Sequence, residues 1–286
     1  MYYNKEYFRQ FAPKIRMSEE NLDLLEGFMP RFSPEEADSI ARYLVDPSIP
    51  SAEKRERMEK LAEEENGGIY CVLIYMAAAG YTHEKYREKG MPDEVFYNTF
   101  NCLPEKMETH KKHFGIWGNV APTWPISHLN MTLFRIGRLG YAFVPAPHEP
   151  LLAGEKVLAA ENEPYVYMHI SDNEKLVGCA ESIQEARAFF RKFYPEYGDC
   201  LYMTNTWLLD PRLGEILPEE SNIMQFQKIF NIYDRYDCRP EVLKRVFGAE
   251  KENLDAYEPS SSLARAVIAY LKSGKELGRG LGYTKF

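Results

Sequence analysis

Apolar residues recur at two different periods along this chain, and the change falls a little before its middle. Up to about residue 120 every patterned stretch has helical spacing. Ser33-Pro34-Glu35-Glu36 is a helix start, with a serine cap, proline at the first helical position and a glutamate three residues after the cap. Ser18 and Ser51 open two further candidates, and Met91-Pro92-Asp93 and Leu103-Pro104-Glu105 mark two later starts. Gly67-Gly68 separates an acidic helix, ending Glu63-Glu64-Glu65, from the stretch Ile69 to Ala79. That stretch is apolar all round and predicts the central helix of a bundle. After His113 the residues Gly115, Gly118, Pro122 and Pro125 crowd a short connector. The expected division is therefore an all-helical domain over 1–120 and a mixed domain over 121–286.

Beyond the connector the pattern moves towards period two. Met131 to Phe143 is apolar on both faces apart from Arg135 and Arg138, which predicts one inner strand with the two arginines on opposite sides. Lys156–Ala160 and Tyr165–Ile170 flank the polar link Glu161-Asn162-Glu163-Pro164 and read as a hairpin. In its second strand Tyr165, Tyr167 and His169 alternate with Val166, Met168 and Ile170. A loop from Ser171 to Glu181 leads to a helix expected to be capped by Ser182, with Glu185 three residues later and a stripe of Ile183, Ala186, Phe190 and Phe193. A strand over 201–208 and a turn-rich crossing precede a helix predicted over 222–233. Asn222 and Gln225 make a variant capping box there, with Ser221 as a competing cap, and Ile223, Phe226, Ile229, Phe230 and Tyr233 keep helical spacing. Shorter helices near 240–247 and 261–272 follow. The closing Gly278-Arg279-Gly280-Leu281-Gly282 reads as a flexible tail or an edge strand.

Composition narrows the partners. The chain has 286 residues, 45% hydrophobic and 27% charged, which suffices for a substantial core. With a net charge of −8 and no basic run, it lacks the stripe that a phosphate backbone requires, so nucleic acid is not expected as a partner. The first residues, MYYNKEYFRQ, carry charge where a signal peptide is apolar, and Ile69 to Tyr81 is too short to span a bilayer. A cytoplasmic protein without membrane partners is the expectation. The five cysteines are widely spread with no C-x-x-C pair, as free thiols would be. His110 and His113 share a helix face without a third ligand, so no metal site is expected. Ser127-His128 lacks the G-x-S-x-G setting of a hydrolase.

The order strand, loop, helix, strand, helix is similar to the GNAT N-acyltransferase fold. More specifically, LFRIGRLGYAF at 133–143, YMHIS at 167–171, NTWLLDP at 205–211, LPEESNIMQFQKIF at 217–230 and LARAVIAYLKSGKELGRGLG at 263–282 resemble the bacterial acyltransferase-domain proteins that join a helical N-terminal domain to a GNAT-like C-terminal domain. The resemblance implies an α+β fold and transfer of an acyl group from acetyl-CoA or another acyl-CoA, as co-substrate, to a small-molecule or peptide amine. It also implies that the strand at 165–170 splays from its neighbour, so that a thioester carrier pairs with exposed backbone near Ile170 and Ser171. The pyrophosphate would then rest on the following helix start, at Gly178 to Ser182. The loop departs from the family's glycine-rich, basic pattern: it has one glycine, Gly178, one lysine, Lys175, and acids at Asp172, Glu174 and Glu181. Asn222 matches the asparagine opening the family's last characteristic helix, but Phe226 and Phe230 stand where a tyrosine is expected.

Acyl transfer to an amine needs a base for the amine proton and an acid for the departing thiolate. His169 is the candidate base, against the plain alternative of a histidine bonded within a polar patch. Tyr167 and Tyr202 are candidate acids, or simply packing. Asn205, Thr206 and Trp207 could hold the acceptor, though Trp207 could equally plug the core. Arg135 and Arg138 could hold a substrate carboxylate, or form buried ion pairs. The reading from another functional class is a catalytically degenerate GNAT fold that binds a metabolite or a protein.

Overall fold

In the computed structural model, residues 1–171 and 174–284 are described, and the chain divides into two compact units, Met1–Ile136 and the residues from Gly137 onward. The sequence pattern drew this division after residue 120.

The first unit holds eight described helices: α1 (Lys5–Phe11), α2 (Glu19–Phe28), α3 (Pro34–Val45), α4 (Ser51–Ala62), α5 (Gly67–Glu88), α6 (Asp93–Phe100), α7 (Cys102–Phe114) and α8 (Pro125–Leu129). Helix α5 is its axis, with every residue from Cys71 to Ala79 fully buried. α3 and α4 pack along it. Ser18 and Ser33 cap α2 and α3, their hydroxyls accepting from the N–H groups of Asn21 and Glu36. Ser51 is not a cap. Its hydroxyl accepts from Asn130 Nδ2 at 2.9 Å, and the same Asn130 takes the buried Lys54 ammonium at 2.7 Å. A short strand, β1 (Leu133–Ile136), ends the unit. Among the described residues no helix is long and apolar enough to cross a membrane.

The second unit comprises β2 (Leu139–Val144), β3 (Leu151–Ala153), β4 (Lys156–Ala159), β5 (Tyr165–Ile170), α9 (Cys179–Phe193), α10 (Pro195–Gly198), β6 (Leu201–Thr206), α11 (Asn222–Gln227), β7 (Phe230–Asp237), α12 (Arg239–Phe247), α13 (Ser262–Lys272) and β8 (Gly278–Thr284). Within it the main sheet runs β2-β5-β6-β8-β7, with β3 and β4 paired separately. β5 and β6 are parallel, and the other described ladders of this sheet are antiparallel. The α+β class is as expected from the sequence.

Several local expectations are corrected. The stretch 131–143 is two strands, broken at Gly137, which takes φ +57°. The segment 156–159 does not form a hairpin with β5; it pairs with β3. β5 lies between β2 and β6 with Val166 and Met168 buried, whereas β4 pairs with β3 and exposes Lys156 and Val157. Helix α9 starts at Cys179, ahead of Ser182, whose hydroxyl turns inward to accept from Leu139 N–H at 3.1 Å and to bond Tyr141 Oη at 2.7 Å. Ser221, not Asn222, caps α11, accepting from Met224 N–H, and that helix ends at Gln227. From Phe230 the chain is strand. The glycine-rich end is neither flexible tail nor edge: β8 lies between β6 and β7. Its glycines answer to close backbone approach, since a Cβ on Gly280 would stand 2.0 Å from the Leu209 carbonyl oxygen.

Asp210 ties these pieces together. It is fully buried, and its carboxylate accepts from Gly278 N–H at 2.6 Å, Arg212 N–H at 3.1 Å and the Arg235 guanidinium at 3.2 and 3.3 Å. Its carbonyl and that of Leu208 both accept from Gln227 Nε2. One acid thus fixes the turn after β6 to the start of β8 and to β7. Asp210→Ala should destabilise the protein by about 2 kcal/mol, because the buried Gly278 N–H loses its acceptor and the half-buried Arg235 keeps only Asp237 as an ion partner. A urea unfolding midpoint indistinguishable from wild type would refute this.

Candidate active site

The β5–β6 ladder stops early. Tyr165 pairs with Leu201, Val166 with Tyr202 and Tyr167 with Met203, yet β5 continues to Ile170 and β6 to Thr206. The cause lies on their outer edges. β5 stays registered with β2 as far as Leu139 and Ile170, while β6 follows β8 through Thr206 and Gly280. Each strand is carried on by its other partner, and the two part.

Two hydroxyls tie the neck of this split. Thr204 Oγ1 donates to the Met168 carbonyl at 2.9 Å. Tyr167 Oη accepts from Asn205 N–H at 3.3 Å and donates to the Asn205 carbonyl at 3.2 Å. They replace ladder bonds that the diverging backbones can no longer make to each other.

The register sorts the expected residues onto two faces. Partners across a ladder share a face, so Tyr167, His169 and Asn205 lie on one side with Arg279 and Leu281 of β8. The Tyr167 and His169 rings are 5.0 Å apart. Asn205 Oδ1 accepts from Arg279 Nε at 2.9 Å, and its Nδ2 donates to Tyr236 Oη at 3.1 Å. Arg279 Nη1 pairs with Glu241 at 3.2 Å. Tyr202 is on the opposite face, fully buried. Its phenol donates to the Tyr197 carbonyl at 3.0 Å, its ring packs on Arg187, and burial raises its pKa.

The remaining candidates scatter. Thr206 Oγ1 accepts from Leu208 N–H and opens a 3₁₀ turn in which Trp207 is buried. Ile170 and Ser171 stand at the end of β5, and the Ser171 carbonyl accepts from Arg138. Gly178, at φ +77°, precedes α9, and among the described residues no side chain caps the helix start, which leaves main-chain donors there for another acceptor. Glu181 lies in that first turn, and Asp172 lies outside the described residues. Ser182 is spent on β2, and Asn222 is exposed at the first position of α11. Arg135 belongs to the first unit, where it pairs with Glu105 at 2.5 Å. Sequence reasoning passed over Arg279, Tyr236 and Glu241. Once Gly278 to Gly282 is taken as a strand, period two puts Arg279 and Leu281 on one face, which was the available signal.

Among curated proteins none matches the chain. Solved structures share its fold. An acyltransferase mutant in complex with octanoyl-CoA aligns with a TM-score of 0.72 at 24% identity, covering 98% of this chain and 88% of that one. An acyltransferase in complex with decanoyl-CoA and teicoplanin aligns at 0.64 and 23%, covering 97% and 98%. Another, with decanoyl-CoA, aligns at 0.67 and 19%, covering 98% and 99%. Residues 6–131 match the N-acyltransferase N-terminal domain, and residues 133–284 match the GNAT-like C-terminal domain. Matched over both stretches, the chain belongs to the family that joins these two domains.

Proposed function

We propose that this protein transfers an acyl group from acyl-CoA to the nitrogen of a small-molecule or peptide amine. The observation that carries the reading is the split beyond Tyr167 and Met203, where two parallel strands stop pairing and the first leads through a loop to a helix start that no described side chain caps. A pantetheine arm carries amides that can pair with strand backbone, and a pyrophosphate suits the N-terminus of α9. Octanoyl-CoA and decanoyl-CoA in the solved structures of like fold support a medium-chain thioester as co-substrate, and teicoplanin in one of them supports a peptide-like acceptor.

In this reading His169 takes the proton of the attacking amine. The nitrogen bonds to the thioester carbonyl carbon, the C–S bond breaks, and the thiolate leaves with a proton from Tyr167. Asn205, held by Arg279 and Tyr236, presents its side-chain amide on the same face. A second reading, binding without catalysis, is favoured by Glu181 in the first turn of α9 and by the absence of a tyrosine from α11.

Calorimetry with octanoyl-CoA and acetyl-CoA, joined to chromatographic detection of released CoA in the presence of amine acceptors, separates the two. The transferase reading expects binding and amine-dependent release, with His169→Ala lowering kcat by about 10²–10⁴-fold while leaving affinity unchanged. Binding with no release by any amine supports the module reading, and no binding at high micromolar concentration removes both. Tyr167→Phe should cost about 1–3 kcal/mol of stability, since two main-chain groups of Asn205 lose their shared partner. An unchanged unfolding midpoint would show that this hydroxyl does not hold the neck.

A further inference from the structure

We infer that Arg138 is the positioning residue of the loop between β5 and α9, an assignment that rests on the acyl-CoA reading above. Arg138 immediately precedes β2 and is only 8% exposed. Its Nε donates to the Lys175 carbonyl at 2.8 Å, and its Nη2 donates to the carbonyls of Ser171 at 2.7 Å and Glu174 at 2.8 Å. The nearest described carboxylate oxygen with which it pairs, on Glu174, is 3.7 Å away, and Nη1 has no hydrogen-bond partner among the described residues. Burying a guanidinium on three main-chain carbonyls costs its hydration, which is a costly device for a loop that merely connects two elements.

The consequence follows from peptide geometry. In a planar trans peptide unit the C=O and N–H point in opposite directions. The Glu174 and Lys175 carbonyls share their units with the N–H groups of Lys175 and Leu176, so turning those oxygens onto Arg138 turns these two donors away from it. Neither N–H bonds to another described main-chain group, and the donors at the α9 start follow them along the chain. Arg138 thereby aims a row of main-chain donors that can take an anionic diphosphate, without a basic side chain in contact with it. A planar fork can gather three acceptors in this way, whereas a lysine ammonium presents only a point charge.

The test compares octanoyl-CoA with octanoyl-pantetheine, which keeps the thioester arm and lacks the nucleotide, by calorimetry. Arg138→Met should weaken octanoyl-CoA binding by at least about tenfold and leave octanoyl-pantetheine unchanged, with Arg138→Lys falling between. A merely structural arginine would weaken both ligands together; that result, or no loss with octanoyl-CoA, overturns the assignment. Wild-type protein that binds both ligands equally also overturns it while leaving the thioester site standing. Wild-type protein that binds neither removes the acyl-CoA reading and this inference with it. Circular dichroism establishes that each variant is folded, and if Arg138→Met is not, the ratio measured for Arg138→Lys decides.

Discussion

The second unit depends on a competition between ladders. β5 and β6 share three paired positions, but each is committed on its other edge to an antiparallel partner that runs further. Antiparallel bonds lie perpendicular to the strands and are slightly the stronger per residue. Where sheet twist sets the two outer antiparallel pairs, β2 with β5 and β6 with β8, on different paths, the parallel ladder yields first. The opening is therefore a product of the whole sheet and not of any residue at the gap. Thr204 and Tyr167 limit its cost by supplying partners to main-chain groups that the divergence leaves behind.

β8 is the strand that makes this possible, and it needs an unusual sequence. Squeezed between β6 and β7, with the Leu209 and Tyr236 carbonyls close against it, it has no room for Cβ atoms at Gly278 or Gly280. Glycine weakens a strand, so the register has to be enforced from outside. Asp210 does this by accepting the Gly278 N–H while holding Arg235 of β7. Strand β6, the turn that follows it and the last strand are thus fixed by one buried carboxylate, which makes that acid a condition for the split.

Much of the first unit was legible because helical spacing and caps are local signals. Ser18, Ser33 and the apolar run of α5 each describe a structure that needs no distant partner to be recognised. The second unit was legible in outline and not in pairing. Alternation places Val166 and Met168 on one face but does not say whether β2 or the 156–159 segment lies alongside. Phe226, Ile229, Phe230 and Tyr233 keep helical spacing across a helix end and a strand start, since Phe226 and Phe230 fill the same core with rings 4.9 Å apart. Of the site, the face shared by Tyr167 and His169, and the opposite facing of Tyr202 and Asn205, could be read from period two. That Asn205 and not Tyr202 joins Tyr167 and His169 could not, because it depends on the parallel register of β5 with β6.

The acidic character of the loop before α9 looks at first like an argument against an anionic ligand in a chain of net charge −8. Charge and donor direction are different resources, however. Exposed carboxylates separated from a ligand by solvent act through a screened field, which at physiological salt fades over about 8 Å. Main-chain N–H groups act at contact distance, and their effect depends on orientation rather than on side-chain identity. A loop whose carbonyls are gathered on Arg138 can present donors even where its side chains are acidic. The family's glycine-rich pattern is one way to let peptide units turn. Here the proposed equivalent is an arginine outside the loop that holds them turned, which is why a motif search confined to the loop finds an acidic connector where the fold builds a donor row.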